Sequence, residues 1–295
     1  RVVDRAQSLI VVVLLAVFAV FIAVTIVDID FDLLAFSGYP SFSNIIASVA
    51  LTFFAYLGFS VITFAAGDLR DPARELPRAM YGALGVTTVL YVLIAVGVFG
   101  TLTVTEVIGY GETAIAEAAR PALGDAGFTI MAVAALLATS SSVNATLYAS
   151  GGLTAMLAQV GQFPTFFGRG SRLGPHAGLL ITSGLVLAIA NLVDLSAIAS
   201  VGSAISLVIF LLVGVAGYRL RAEIGALAAV VLAAIALTAL VLVFFAIDTA
   251  RNSPETFSAI LVITALAVVL DLVWTRMAPE PPPASVQSPS PTPTP

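Results

Sequence analysis

The chain has 295 residues, 60% of them hydrophobic and only 10% charged. A soluble domain carries about a quarter of its residues as charges, so this composition fits lipid as the main solvent. The net charge of −5, from 17 acids against 12 bases that are all arginine, offers no basic face for nucleic acid, and the lack of cysteine excludes disulfides, thiol nucleophiles and thiolate metal sites.

Arg1 stands where a start methionine would, and no cleavable signal pattern follows, so the N-terminus reads as a truncation. Part of any functional site is then expected in the preceding sequence. About 20 apolar residues suffice to cross a hydrocarbon core as a helix. Eight such runs follow in order: Ser8–Val27, Asn44–Ala66, Ala79–Thr101, Ala126–Ala149, Ala177–Val193, Ala197–Tyr218, Ile224–Ile247 and Thr256–Thr275. Backbone groups in lipid must be satisfied within their own segment, so the runs predict helices and an all-α, polytopic membrane protein.

The connections test that count. Arginines cluster at Arg1 and Arg5, at Arg70, Arg74 and Arg78, at Arg169 and Arg172, at Arg219 and Arg221, and at Arg276, which is every second connection. The alternate connections are acidic or short, and only Arg120 and Arg251 fall among them. Positive charge is retained on the cytoplasmic side, so the alternation predicts that both ends of this chain are cytoplasmic.

Two segments lie outside the runs. Thr113–Leu123 has helical spacing of small and apolar residues and predicts an external amphipathic helix. The Pro-rich stretch 279–295 cannot pack a core, and is expected to be a disordered cytoplasmic tail after a transmembrane domain spanning 1–278. A featureless tail and a docking site for a partner domain are both open there. Trp274, close to Arg276, reads as an interfacial anchor.

The run cores hold almost no ionisable groups, so the mid-membrane charges of a proton pump or voltage sensor are not seen. His176 is the one histidine, and a metal site needs several convergent donors, so no metal and no cofactor is expected. Polarity appears instead as hydroxyls, amides and glycines. In the second run Gly58 is bracketed by Phe53, Phe54, Tyr56, Phe59 and Ser60. A glycine amid aromatics can mark a broken helix whose free amides and carbonyls hold a zwitterion at the bilayer midplane. It can equally mark a close helix contact. The run Thr139-Ser140-Ser141-Ser142-Val143-Asn144 can line a substrate or sodium path or simply join helices by hydrogen bonds; Ser200, Gly202, Ser203 and Ser206 carry the same two readings.

Phe53 to Met80, FFAYLGFSVITFAAGDLRDPARELPRAM, resembles the sixth helix and following loop of the amino acid–polyamine–organocation permease superfamily. Asp71-Pro72, Arg74, Leu76-Pro77 and Met80 carry the loop pattern. Asn144 to Pro164, NATLYASGGLTAMLAQVGQFP, resembles the family's eighth helix. The whole chain fits helices five to twelve. The resemblance implies part of a LeuT-like fold of inverted repeats, with the sixth helix broken around Ala55–Gly58. It also implies that carbonyls near Phe54 and Leu57 face a substrate ammonium, and that Phe54 or Tyr56 gates the site. The resulting substrate-site residues are Phe54, Ala55, Tyr56, Leu57, Gly58, Phe59, Ser60, Asn144 and Ser203, with Ser140 and Ser141 as an ion site.

The chain departs from the family pattern at Ser60 and Gly67, where many members carry an acid, and it contains no lysine to drive a proton mechanism. The expected function is therefore secondary active or facilitative transport of amino acids, with neutral ones favoured, by alternating access in the cell membrane. A sodium or proton partner is left open. Amines, polyamines or other small organic cations are the alternative cargo. A channel lacks its filter or charged ring, and an embedded enzyme or receptor finds no supporting constellation.

Overall fold

The computed structural model describes residues 2–27, 29–35, 40–159, 161–163 and 177–277. His176, Arg169, Arg172, Pro164 and the stretch 279–295 lie outside them. Among the described residues there is no strand. The elements are α1 (Val2–Val27), α2 (Phe42–Phe53), a 3-10 helix (Phe54–Asp68), α3 (Pro72–Phe99), α4 (Val104–Tyr110), α5 (Ala114–Ala118), α6 (Arg120–Gln159), α7 (Ala177–Leu192), α8 (Leu195–Arg219), α9 (Arg221–Ile224), α10 (Ala228–Asn252) and α11 (Pro254–Met277).

Seven of these segments are long and apolar enough to cross a membrane, and the shorter Gly178–Leu192 is apolar as well. Seven of the eight runs expected from the sequence thus fall on helices of spanning length, and the eighth, Ala177–Val193, falls on the shorter helix among the described residues. All-α, polytopic architecture follows.

Two boundaries differ from expectation. The loop Asp71–Pro77 is not a loop beyond its first residue: α3 begins at Pro72, ahead of the apolar run itself. Proline at the first helical position has no N–H to leave unsatisfied, and Glu75 in the first turn meets the positive end of the helix dipole. The expected amphipathic helix over Thr113–Leu123 is the shorter α5. Its Ala114, Ala116 and Ala118 are buried while Ile115 is exposed, so one face packs on the protein and the other is open. Helix α4 precedes it, started by a capping box. Thr103 accepts from the Glu106 backbone N–H while the Glu106 carboxylate accepts from the Thr103 N–H at 2.8 Å and hydroxyl at 2.7 Å. Those hydrogen bonds hold the exposed Glu106 carboxyl below its ordinary pKa.

The chain forms two compact units, Arg1–Thr146 with Gly202–Asn252, and Leu147–Val201 with Ser253–Pro295. In the first, α1 packs on α3, α2 packs on α10, and the 3-10 helix packs on α3. Its best-buried core joins Phe21 and Ile22 of α1, Val98 and Leu102 at the end of α3, Ala116, Ala118 and Ala119, and Met131 of α6. The two helices α1 and α3 meet at a glycine. A Cβ on Gly97 would lie 2.5 Å from Thr25 Oγ1 and 3.4 Å from the Phe21 ring, so only glycine allows this approach. Thr25 is buried there, with its hydroxyl donating to Phe21 O at 2.8 Å. The second unit holds α7 and α11; in it, Leu179 of α7 makes an ordinary contact with the Gly151 position of α6. Nearly every α11 side chain described is exposed, which suits a helix facing lipid.

Candidate functional site: an aromatic 3-10 segment beside a cavity

Helix α2 stops at Phe53 and the chain tightens into a 3-10 helix from Phe54 to Asp68. Runs of this type rarely exceed three or four residues, because their hydrogen bonds are poorly aligned. Fifteen residues in this state is therefore unusual, and long 3-10 stretches inside a helix often mark a functional hinge. The helix is not interrupted at Ala55–Gly58, where the family resemblance implied a break. The backbone does not unwind; it changes pitch one residue earlier, at Phe54.

At the junction Leu51 O accepts from the Phe54 N–H three residues on and, at 3.4 Å, from the Ser203 hydroxyl of α8. Four residues on, Ala55 O accepts from the Tyr91 hydroxyl of α3 at 3.0 Å. The pitch also redistributes the rings. Six residues make two 3-10 turns, so Phe53 and Phe59 come to one side, where a regular α-helix would set them about 120° apart. Both meet Phe210 of α8, edge-on at 5.6 Å and stacked at 5.5 Å between centroids. Tyr56 meets Tyr91 edge-on at 5.1 Å. An edge-to-face pair adds about 0.5–1.5 kcal/mol beyond the area it buries.

The segment borders a cavity of about 630 Å³. Phe54, Ala55, Tyr56, Leu57, Gly58, Phe59 and Ser60 all line it, together with Thr87 and Tyr91 of α3 and Ser142 and Thr146 of α6. The polar side chains of its lining are all hydroxyls, with no ionisable acid or base among the lining residues save the two tyrosines. Ser60 donates its proton to Leu57 O at 2.8 Å, which leaves its oxygen as an acceptor. A cavity of this size and lining suits a small solute bound by apolar contact and a few hydrogen bonds.

Gly58 has nothing within 4 Å of where a Cβ would stand, so among the described residues it serves no close helix contact.

The remaining candidates are placed elsewhere. Asn144 is exposed on α6 and does not line the cavity, although Ser142 and Thr146 on the same helix do. Ser203 is fully buried and acts behind the segment, on Leu51 O. Ser140 donates to Leu136 O of its own helix at 2.8 Å, and Ser141 is paired with the Gln7 side chain of α1. The two serines thus have different partners. No cluster of three or more His, Cys, Asp or Glu capable of holding a metal occurs among the described residues.

Sequence reasoning did not single out Thr87, Tyr91 or Phe210. A signal for the first two was present: Thr87 and Tyr91 are four apart, on one face of a helix that is otherwise apolar there. Phe210 carried none, because its role depends on the 3-10 pitch of another segment.

Residues 1–270 match the amino acid permease family. An uncharacterised protein of Methanocaldococcus jannaschii is 35% identical over 226 residues, 76% of this chain and 52% of that protein. The inner membrane transport protein YbaT of Escherichia coli is 34% identical over 190 residues, 64% of this chain and 44% of that protein. The methylthioribose transporter of Bacillus subtilis is 28% identical over 225 residues, 74% of this chain and 47% of that protein. The chain spans about half the length of these relatives. With its apolar helices and a match over nearly its whole length, the chain belongs to the amino acid permease family.

Proposed function

We propose that the intact protein is a secondary transporter that carries a small neutral amino acid across the membrane by alternating access, with the substrate held beside Phe54–Ser60. The observation that carries this reading is the 3-10 segment bordering a cavity of about 630 Å³ lined by aromatic rings and hydroxyls. An ammonium group needs acceptors, and the carbonyls of such a segment supply them without a buried carboxylate. The lack of an acid in the lining argues against a strongly cationic cargo, whose desolvated charge would have no counter-ion. Tyr91 donates its hydroxyl proton to one of these carbonyls, Ala55 O.

Membership of the amino acid permease family and the transporter names of two relatives support the same class of activity. The printed cargo of one relative, methylthioribose, makes a neutral organic solute other than an amino acid the second reading. The alternating arginines favour cytoplasmic placement of both ends of this chain.

The test is uptake of labelled neutral amino acids into liposomes holding the intact protein, with no gradient, a proton gradient or a sodium gradient. Saturable uptake supports the proposal, and the stimulating gradient names the coupling ion. Folded protein that takes up no amino acid, but does take up methylthioribose or an amine, moves the cargo to the second reading or to organic cations.

A further inference from the structure

Phe54 is held in an unusual way. The edge of its ring lies on the backbone of Gly202 in α8. A Cβ at Gly202 would stand 2.6 Å from Phe54 Cε2, 2.9 Å from Cδ2 and 3.8 Å from Cζ. The first two distances are shorter than side-chain carbons tolerate, so the missing side chain is what lets the ring stay where it is.

We propose that Gly202 is the seat of Phe54 and a specificity-determining position: the room left by its hydrogen holds the Phe54 ring back in the cavity wall, and any side chain there drives the ring further into the cavity. The argument turns on which part can move. The backbone around Phe54 is tied to α8 on both sides of the ring. Ser203, beside Gly202, donates to Leu51 O at 3.4 Å, and Phe210 holds the rings of Phe53 and Phe59 at 5.6 and 5.5 Å. On the α3 side, the Tyr91 hydroxyl holds Ala55 O at 3.0 Å. An added methyl therefore meets a backbone that is fastened and a side chain that can rotate, and the side chain yields. Phe54 already lines the cavity, so the space available to the displaced ring is that cavity. The consequence for binding rests on the transport reading above. A ring turned inward removes volume first from the substrate side chain, so large neutral amino acids lose more than alanine does.

The test reads the ring without needing a substrate. The chain has no cysteine, so Ser142→Cys on the cavity wall is the one labelling site within it, and the labelling of the intact protein without that substitution is subtracted. Its maleimide labelling rate is compared in the intact protein with Gly202, with Gly202→Ala, and with Gly202→Ala combined with Phe54→Ala. Labelling is expected to slow by about tenfold in Gly202→Ala and to recover in the double variant. An unchanged rate in folded Gly202→Ala overturns the proposal, and so does a slowed rate that Phe54→Ala does not restore. Should Gly202→Ala fail to fold, recovery of folding in the double variant supports the seat, and its failure there too overturns it. A wild-type protein that transports nothing leaves these labelling results readable, and bears on the transport reading alone.

Discussion

Two glycines in the first unit separate two kinds of region. At Gly97 a Cβ would strike Thr25 at 2.5 Å, in the core that Phe21, Val98, Ala118, Ala119 and Met131 build between α1, α3, α5 and α6. At Gly58 a Cβ would meet nothing within 4 Å, although the residue sits among four aromatic neighbours in sequence. The first glycine is there so that helices can touch. The second stands beside a space. Where polar groups lie follows the same division: the core encloses Thr25 with its hydroxyl satisfied locally, while Leu51 O, just before the 3-10 segment, and Ala55 O, within it, accept from hydroxyls of other helices. The transport reading proposed above calls for both, a part that transmits force without deforming and a part that can change its contacts at low cost.

Substitutions can break the comparison or sharpen it. The largest expected effect is in the core. Phe21 is 1% exposed, so Phe21→Ala should lower stability by about 3–5 kcal/mol, read as a large fall in melting temperature in detergent or bilayer. Next is the glycine contrast. Gly97→Leu should overpack the α1–α3 contact and cost about 1–3 kcal/mol or more, whereas Gly58→Leu should leave the melting temperature of the unliganded protein near wild type. Gly58→Leu should nonetheless weaken substrate binding by about tenfold or more, since its side chain enters the cavity. Equal loss of stability in the two variants would erase the distinction. A smaller effect is expected at Tyr91→Phe, which keeps the ring on Tyr56 but removes the donor to Ala55 O. A hydrogen bond is worth about 0.5–1.5 kcal/mol net, so substrate affinity should move by a few-fold, measured by equilibrium binding.

The smallest effect is on pH, at the capping box. The folded-state pKa of Glu106 is depressed by its hydrogen bonds to Thr103. Its contribution to α4 is therefore complete above the ordinary carboxylate range and is lost as pH falls through the depressed value. Acid should fray the first turn of α4 and Glu106→Gln should reduce that dependence, as followed by amide protection at Glu106 and Val107. The Phe21 core beside it should not respond over the same range.

The sequence made the membrane architecture plain because lipid imposes one rule on every span: about 20 apolar residues with charges kept to the ends. All eight runs fall largely on helices, seven of them long and apolar enough to cross a membrane. The site was legible only as a place. Phe54 to Ser60 could be marked as aromatic, glycine-containing and similar to a known family, but their partners could not be named. Phe53 and Phe59 reach Phe210 together only at three residues per turn, and a period of 3.6 sends them to different sides. Asn144 looked like a site residue because an amide in lipid needs partners, yet Ser142 and Thr146 are the positions of α6 that line the cavity. Gly97 escaped notice because nothing in its apolar surroundings distinguishes it until α1 is laid against it.

The claim that the Phe54–Ser60 segment forms a substrate site is tested most directly by ligand-dependent melting of the intact protein and of Gly58→Leu, across a series of neutral amino acids. A ligand bound only by the folded state raises the melting temperature as its concentration passes its dissociation constant. The account predicts a saturable rise in the wild type and no rise in Gly58→Leu, with the two unliganded proteins melting together. A Gly58→Leu protein stabilised by the same ligand at the same concentrations would contradict it.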